Sequence, residues 1–344
     1  LQFYRLRSSH TQIAFHEVYF MPSASEHSWF DAHTWLFQHL AEIAFSPATN
    51  TNWKALAEVS AKLLDPQQQQ AMIVWYRTVL ETLALRDPAA QGLNEHTRAH
   101  FTSVHIAVLH KLTSELWLIN KDAALMLTNV GKALFGAEIH PAAFVADGVI
   151  FDHATGTVVG ATATIDRDAN ILHNVTLGNR TVVPQGQRRH PLVGNNVSIG
   201  TNAKVLGPIT LNPFCVIAAG ATVYADVPGF CVVVGTNEVV HLVNPMDGKT
   251  LRVQDLIPDV PQKGRMNLRN PDDAKLLRQA SYILHAQLKS KYGNDYTNML
   301  PGAWQETYKR LAKEMGVALS GDTHSPFHDD AVQLTYAALA AERC

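Results

Sequence analysis

Three short stretches of this chain carry side chains suited to proton transfer: Glu138-Ile139-His140-Pro141, Asp152-His153-Ala154-Thr155-Gly156 and Arg188-Arg189-His190-Pro191. An imidazole is the natural base for taking a proton from an alcohol near neutral pH, because its pKa lies close to the working pH. It works best when a carboxylate on its far nitrogen fixes the tautomer and steadies the imidazolium that forms. Acidic and basic residues close by suit a zwitterionic small molecule, whose ammonium and carboxylate need opposite partners. The chain holds 17 histidines, so most are incidental and only local context can single one out.

The elements that must position these groups are legible from a six-residue rhythm. Val193, Ile199, Val205, Leu211, Ile217 and Val223 are aliphatic at every sixth position, a period that fits neither a helix nor an ordinary strand and marks a parallel β-helix of hexapeptides. Val197, Ala203, Ile209, Cys215, Ala221 and Val227 give each hexad a second inward side chain. Corners are expected at Gly194-Asn195-Asn196, Asn202, Gly207-Pro208 and Asn212-Pro213, residue types that accept tight or left-handed backbone. The same register runs earlier through Val159, Ile165, Ile171 and Leu177. The step from Leu177 to Val193 is not a multiple of six, so roughly ten residues must leave the coil there as a functional loop.

Bulk properties narrow the remainder. With 344 residues, 47% of them hydrophobic and 17% charged, the chain has the makeup of a globular protein of two or three units. A formal charge of −2 argues against a general nucleic-acid binder. Apolar runs such as 230–234 are far too short to span a bilayer, and no secretory leader is recognisable. The three unclustered cysteines, Cys215, Cys231 and Cys344, suit a reducing cytoplasm. Before the coil, apolar spacing of three and four predicts helices over His27–Phe45, Trp53–Leu64 and Ala71–Leu85, with one or two more from Phe101 to Phe135. After it, Asn244–Lys263 reads as a connector, followed by helices over Pro271–Tyr292, Pro301–Met315 and Asp329–Arg343. The expected organisation is an α+β chain. It has a helical domain over 1–135, the β-helix over 136–240, and a connector with a helical extension over 241–344.

These segments and the coil between them resemble serine O-acetyltransferases, hexapeptide-repeat enzymes that move acetyl from acetyl-CoA to the hydroxyl of L-serine in the first step of cysteine biosynthesis. The likeness runs from about Arg86 to Val234. It includes Arg86-Asp87-Pro88-Ala89, the helix around His105 and Trp117, and Asp152–Gly156 followed by Val158-Val159-Gly160. It implies a left-handed coil, an exception to the usual crossover rule, in a cytoplasmic homotrimer or a dimer of such trimers. By matching position it makes His153 the general base and puts Glu138 where the family has an aspartate behind that base. Asp87 and Asp152 would hold the substrate ammonium, Arg189 its carboxylate, and His190 would orient it. Acetyl-CoA, the cosubstrate, would lie near Ala203, Lys204, Ala219 and Gly220, with backbone around Gly178 meeting the oxyanion. No metal is implied.

The chain departs from the family pattern in three places. Glu138 is one methylene longer than the aspartate. The loop from Gly178 to Arg188 lacks the family's several glycines and the aspartate before Arg-His-Pro. The chain also continues for about a hundred residues beyond the coil in place of a short tail ending in isoleucine, so docking to cysteine synthase by that tail is not expected. Two other readings keep the fold and change the role: an O-acetyltransferase for another small amino acid such as homoserine, or a weakly active scaffold or regulatory relative. A γ-class carbonic anhydrase would need histidine ligands from adjacent coils at metal-binding spacing, which these motifs do not offer. His140 and His173 are read as hydrogen-bonding coil residues outside the site.

Overall fold

The computed structural model describes residues 66–182, Pro184, residues 186–293 and Tyr296. The helices expected over 27–45, 53–64, 301–315 and 329–343 lie outside the described residues. Helix α1 (Pro66–Arg86) starts on a proline, whose missing N–H costs nothing in a first turn. It stops before Asp87-Pro88, where the proline ring disfavours helical backbone in the preceding residue. A short helix α2 (Glu95–Arg98) is capped by Asn94. Two longer ones follow, α3 (Thr102–Ile119) and α4 (Lys121–Phe135). Extended Asn120 divides them, and its side chain accepts the Ala123 N–H to start α4. Gly136, at φ 69°, ends α4 in the left-handed conformation and turns the chain into the coil.

Thirteen short strands then wind through three parallel faces. The first face stacks β1 (Glu138–Ile139), β4 (Val158–Val159), β7 (Thr176–Gly178), β10 (Lys204–Leu206) and β13 (Thr222–Val223). The second stacks β2 (Phe144–Val145), β5 (Thr164–Ile165), β8 (Leu192–Val193) and β11 (Thr210–Leu211). The third stacks β3 (Ile150–Phe151), β6 (Asn170–Ile171), β9 (Ser198–Ile199) and β12 (Val216–Ile217), and is continued by β14 (Cys231–Val234). Every aliphatic of the six-residue series from Val159 to Val223 is buried in the prism, and the second inward series is buried with it. Asn196, Asn202 and Gly207 take positive φ at the expected corners. At 212–214 the left-handed residue is instead Phe214, because its ring stacks on Phe230 at 5.4 Å, and that packing outweighs the backbone preference.

Beyond the coil the chain folds back along it. Strand β15 (Glu238–Val243) adds antiparallel to β14, and β16 (Thr250–Leu251) and β17 (Met266–Asn267) pair with β15. After the short α5 (Val253–Leu256) comes α6 (Pro271–Tyr292), the span that sequence predicts. Asn270 caps it, accepting from the Asp272 and Asp273 N–H groups. Leu277, Ala280, Leu284 and Leu288, spaced at helical period, join the coil core. Tyr296 closes this contact: its ring stacks on Phe214 and its hydroxyl lies 2.8 Å from His285 Nδ1. Among the described residues no helix is long and apolar enough to cross a membrane.

Candidate active site

His153 stands on the edge where the third face turns into the first. Asp152 N–H donates to the Ile171 carbonyl and so fixes the start of the corner. His153 and Ala154 then both take left-handed backbone, φ 58° and 55°, at a cost of order 1–3 kcal/mol each for residues that are not glycine. The conformation buries the Ala154 methyl in the prism and turns His153 outward, its side chain 74% exposed. Its Nε2 lies 3.8 Å from Asp152 Oδ1, too far for a hydrogen bond. The ring meets His173 of the next corner edge to face at 5.7 Å, and His173 Nδ1 lies 3.4 Å from Thr201 Oγ1.

Corner backbones lock this edge upward, Asn174 N–H to the Thr155 carbonyl, Asn202 to His173 and Gly220 to Thr201. A single column therefore runs from His153 to exposed Ala219 and Gly220, with exposed Lys204 one step round on the first face. Ala203 differs, since its side chain fills an inward hexad position. Only its backbone can face a ligand.

Glu138 is engaged by the helix that precedes it. Its carboxylate pairs with Lys132 Nζ at 2.5 Å, drawn there because α4 ends directly before β1. The Glu138 N–H is spent on the Thr157 carbonyl.

Arg189 and His190 stand on a different edge, where the first face turns into the second and the loop leaves the coil after Gly178. Thr162 receives them. Its hydroxyl accepts the Arg189 and His190 N–H groups at 3.0 and 3.2 Å, and its own N–H donates to His190 Nδ1 at 3.1 Å. An accepting Nδ1 leaves the proton of the neutral ring on Nε2. Burial first, then Arg189 and His140, push the His190 pKa down, which favours that neutral donor. The ring lies over Gly160, where a Cβ would fall 2.1 Å from Nε2, so glycine alone leaves room. His140, read from sequence as outside the site, is in the same neighbourhood. Burial chiefly lowers its pKa, Glu138 opposes, and Arg189 adds to the lowering. Its Nδ1 accepts the Ala142 N–H.

Asp87 is held near the third edge, between the second and third faces. Arg86 anchors it: the guanidinium donates to the Gly148 carbonyl at 2.6 Å and to the Asp168 carbonyl at 2.5 Å. Asp87 Oδ1 accepts the Ala89 N–H, which tightens the turn after α1. Sequence reasoning missed Arg86 as the staple and Thr162 as the clamp. Arginine at a helix end before Asp-Pro was a visible signal for the first, whereas nothing local marked the second. Within one chain, then, His153 and the Arg189–His190 pair are on separate edges of the prism. Among the described residues no group of three or more His, Cys, Asp or Glu side chains could hold a metal ion.

No protein-family model matches the sequence. The chain is 39% identical over 178 residues to a serine acetyltransferase of Mycobacterium tuberculosis, covering 50% of this chain and 76% of that protein. It spans 40 to 58% of the length of several other curated serine acetyltransferases. Among solved structures it resembles a Neisseria gonorrhoeae serine acetyltransferase in complex with serine, at 32% identity and a TM-score of 0.51 over 64% of this chain and 85% of that one. It also resembles a Brucella abortus serine acetyltransferase in complex with coenzyme A, at 30% identity and a TM-score of 0.50 over 62% and 80%.

Proposed function

This chain belongs to the serine acetyltransferase family, and from that premise we infer that it transfers acetyl from acetyl-CoA to the hydroxyl of L-serine. The observation that carries the mechanism is His153, turned out of the coil at a left-handed corner at the foot of the column that ends at Ala219 and Gly220. The serine oxygen attacks the thioester carbon while His153 takes its proton. The tetrahedral intermediate then expels the CoA thiolate, which recovers that proton from the imidazolium. Backbone N–H near Gly178 is the proposed donor to the oxyanion. Asp152, beside His153, steadies the imidazolium and faces the substrate ammonium, whereas Asp87, on the second-to-third edge, is not beside Asp152 within one chain. Arg189 takes the carboxylate, and neutral His190 donates from Nε2. Glu138, engaged by Lys132, would have to exchange that partner to support the base.

The separation of His153 from Arg189 and His190 supports a site shared between copies around a threefold axis, the third-to-first edge of one meeting the loop edge of the next. The buried free thiols of Cys215 and Cys231 support a reducing compartment, the cytoplasm. Thiol release from acetyl-CoA in the presence of L-serine tests the reading. His153→Ala is expected to lower kcat/KM by about 10²–10⁴, the usual contribution of a positioned base. An unchanged rate would remove His153 from the chemistry, and turnover with homoserine in preference to serine would change the acceptor.

A further inference from the structure

Tyr224 follows β13 and stands on the loop edge of the prism. Two guanidiniums share its ring: Arg180 of the loop, with Cζ 4.0 Å from the ring centroid, and Arg269 of the C-terminal extension, at 5.5 Å. Aromatic faces attract such cations, yet the two also repel each other, and among the described residues neither has a carboxylate partner. A generally basic chain does not explain the pairing, since the net charge is −2. The arrangement is also braced from below. Asn237, buried, accepts the Tyr224 N–H on Oδ1 at 2.8 Å, donates its own N–H to the Thr222 carbonyl, and accepts the Leu268 N–H on its carbonyl. Arg269, the next residue, donates its N–H to Asn267 Oδ1 at 2.9 Å. The extension therefore delivers Arg269 to the ring that Arg180 already occupies.

Two unpaired, pre-placed guanidinium forks are the donor set that phosphate oxygens require. We propose that Arg180 and Arg269, spaced by Tyr224, hold a phosphate group at the nucleotide end of acetyl-CoA, so that the C-terminal extension takes part in cosubstrate binding. This rests on the acetyl-transfer reading. The geometry suits it along the coil axis: β13 lies three strands above β4, the strand that follows the His153 corner, a rise of about 14 Å at strand spacing, and because Tyr224 stands on the loop edge the clamp serves the His153 column of the neighbouring copy in the shared site proposed above. An extended pantetheine arm spans that rise from thioester to nucleotide.

The test measures KM for acetyl-CoA and for acetyl-3′-dephospho-CoA on the full chain, on Arg269→Gln and on Arg180→Gln. Each substitution is expected to raise KM for acetyl-CoA about tenfold, the order expected for one charge-assisted contact, while KM for serine moves less than about twofold. If the effect disappears with the dephospho cosubstrate, the 3′-phosphate is the group held; if it persists, the pyrophosphate is. Unchanged KM for both cosubstrates in both variants overturns the proposal, as does an equal rise in KM for serine. Should the unaltered chain release no thiol, the acetyl-transfer reading fails, and calorimetric titration of CoA into the three proteins still decides the clamp. Weaker binding by the variants sustains it; equal binding, or none to the unaltered chain, overturns it.

Discussion

His190 and His153 show how one residue type is set in two contrasting surroundings, one buried and one exposed. His190 is almost completely covered, its Nδ1 is committed to Thr162, and its pKa is pushed below the ordinary imidazole value by burial. His140 is lowered in the same direction, also chiefly by burial. For such groups the unfolded chain binds more protons than the folded one, so their contribution to stability is complete above the unfolded pKa of about 6.5 and fades as pH falls through the lower folded value. Thermal unfolding followed from pH 7.5 to 5 should therefore show Tm falling on acidification, with a shallower fall in His190→Gln than in the unaltered chain. Identical slopes would mean that His190 does not titrate between these limits. The motif around His190 was legible in the sequence. Its tautomer was not, because Thr162 lies 28 positions away and reaches the ring only when one coil stacks on the next.

At the scale of elements, the coil supplies the rigid edges and the helices dress one of them. The edge between the second and third faces is gripped low down by Arg86 and by Trp75, whose indole N–H donates to Asp147. Higher up it meets the extension, through Phe214 with Tyr296 and through Ser281 beside Gly229. Helix α6 belongs to the coil core rather than hanging from it, since its buried leucines share one hydrophobic cluster with Val227 and Cys231. Leu284→Ala should cost about 2–5 kcal/mol, the usual range for a buried leucine, and should shift one cooperative denaturation transition. A separate early transition would show the extension to be an independent unit. The helix and its cap at Asn270 could be read from periodicity and Pro271, but its seat could not, because a leucine stripe states that it must be buried and not where.

For the whole molecule, the predicted residues are distributed over separate edges of the prism, and that distribution makes a specific demand. If one chain brings His153 and its neighbour brings Arg189, then His153→Ala and Arg189→Ala chains co-expressed in one assembly should recover measurable thiol release that neither variant shows alone, since some shared sites receive both intact halves. Absence of recovery, with mixed assemblies verified by mass, would place each site within one chain. The sequence by itself determined the coil, its inward register and the position of the interrupting loop, and it singled out His153 as the candidate imidazole. A six-residue period admits one inward-facing pattern, and short motifs keep their residues in local order. Only the tertiary structure decided that Glu138 turns to Lys132, that Thr162 receives His190, and that Arg269 meets Arg180 on one ring. Those outcomes depend on which corners and helix ends are stacked together, and residues far apart in the chain become neighbours only when successive coils and the returning extension are packed.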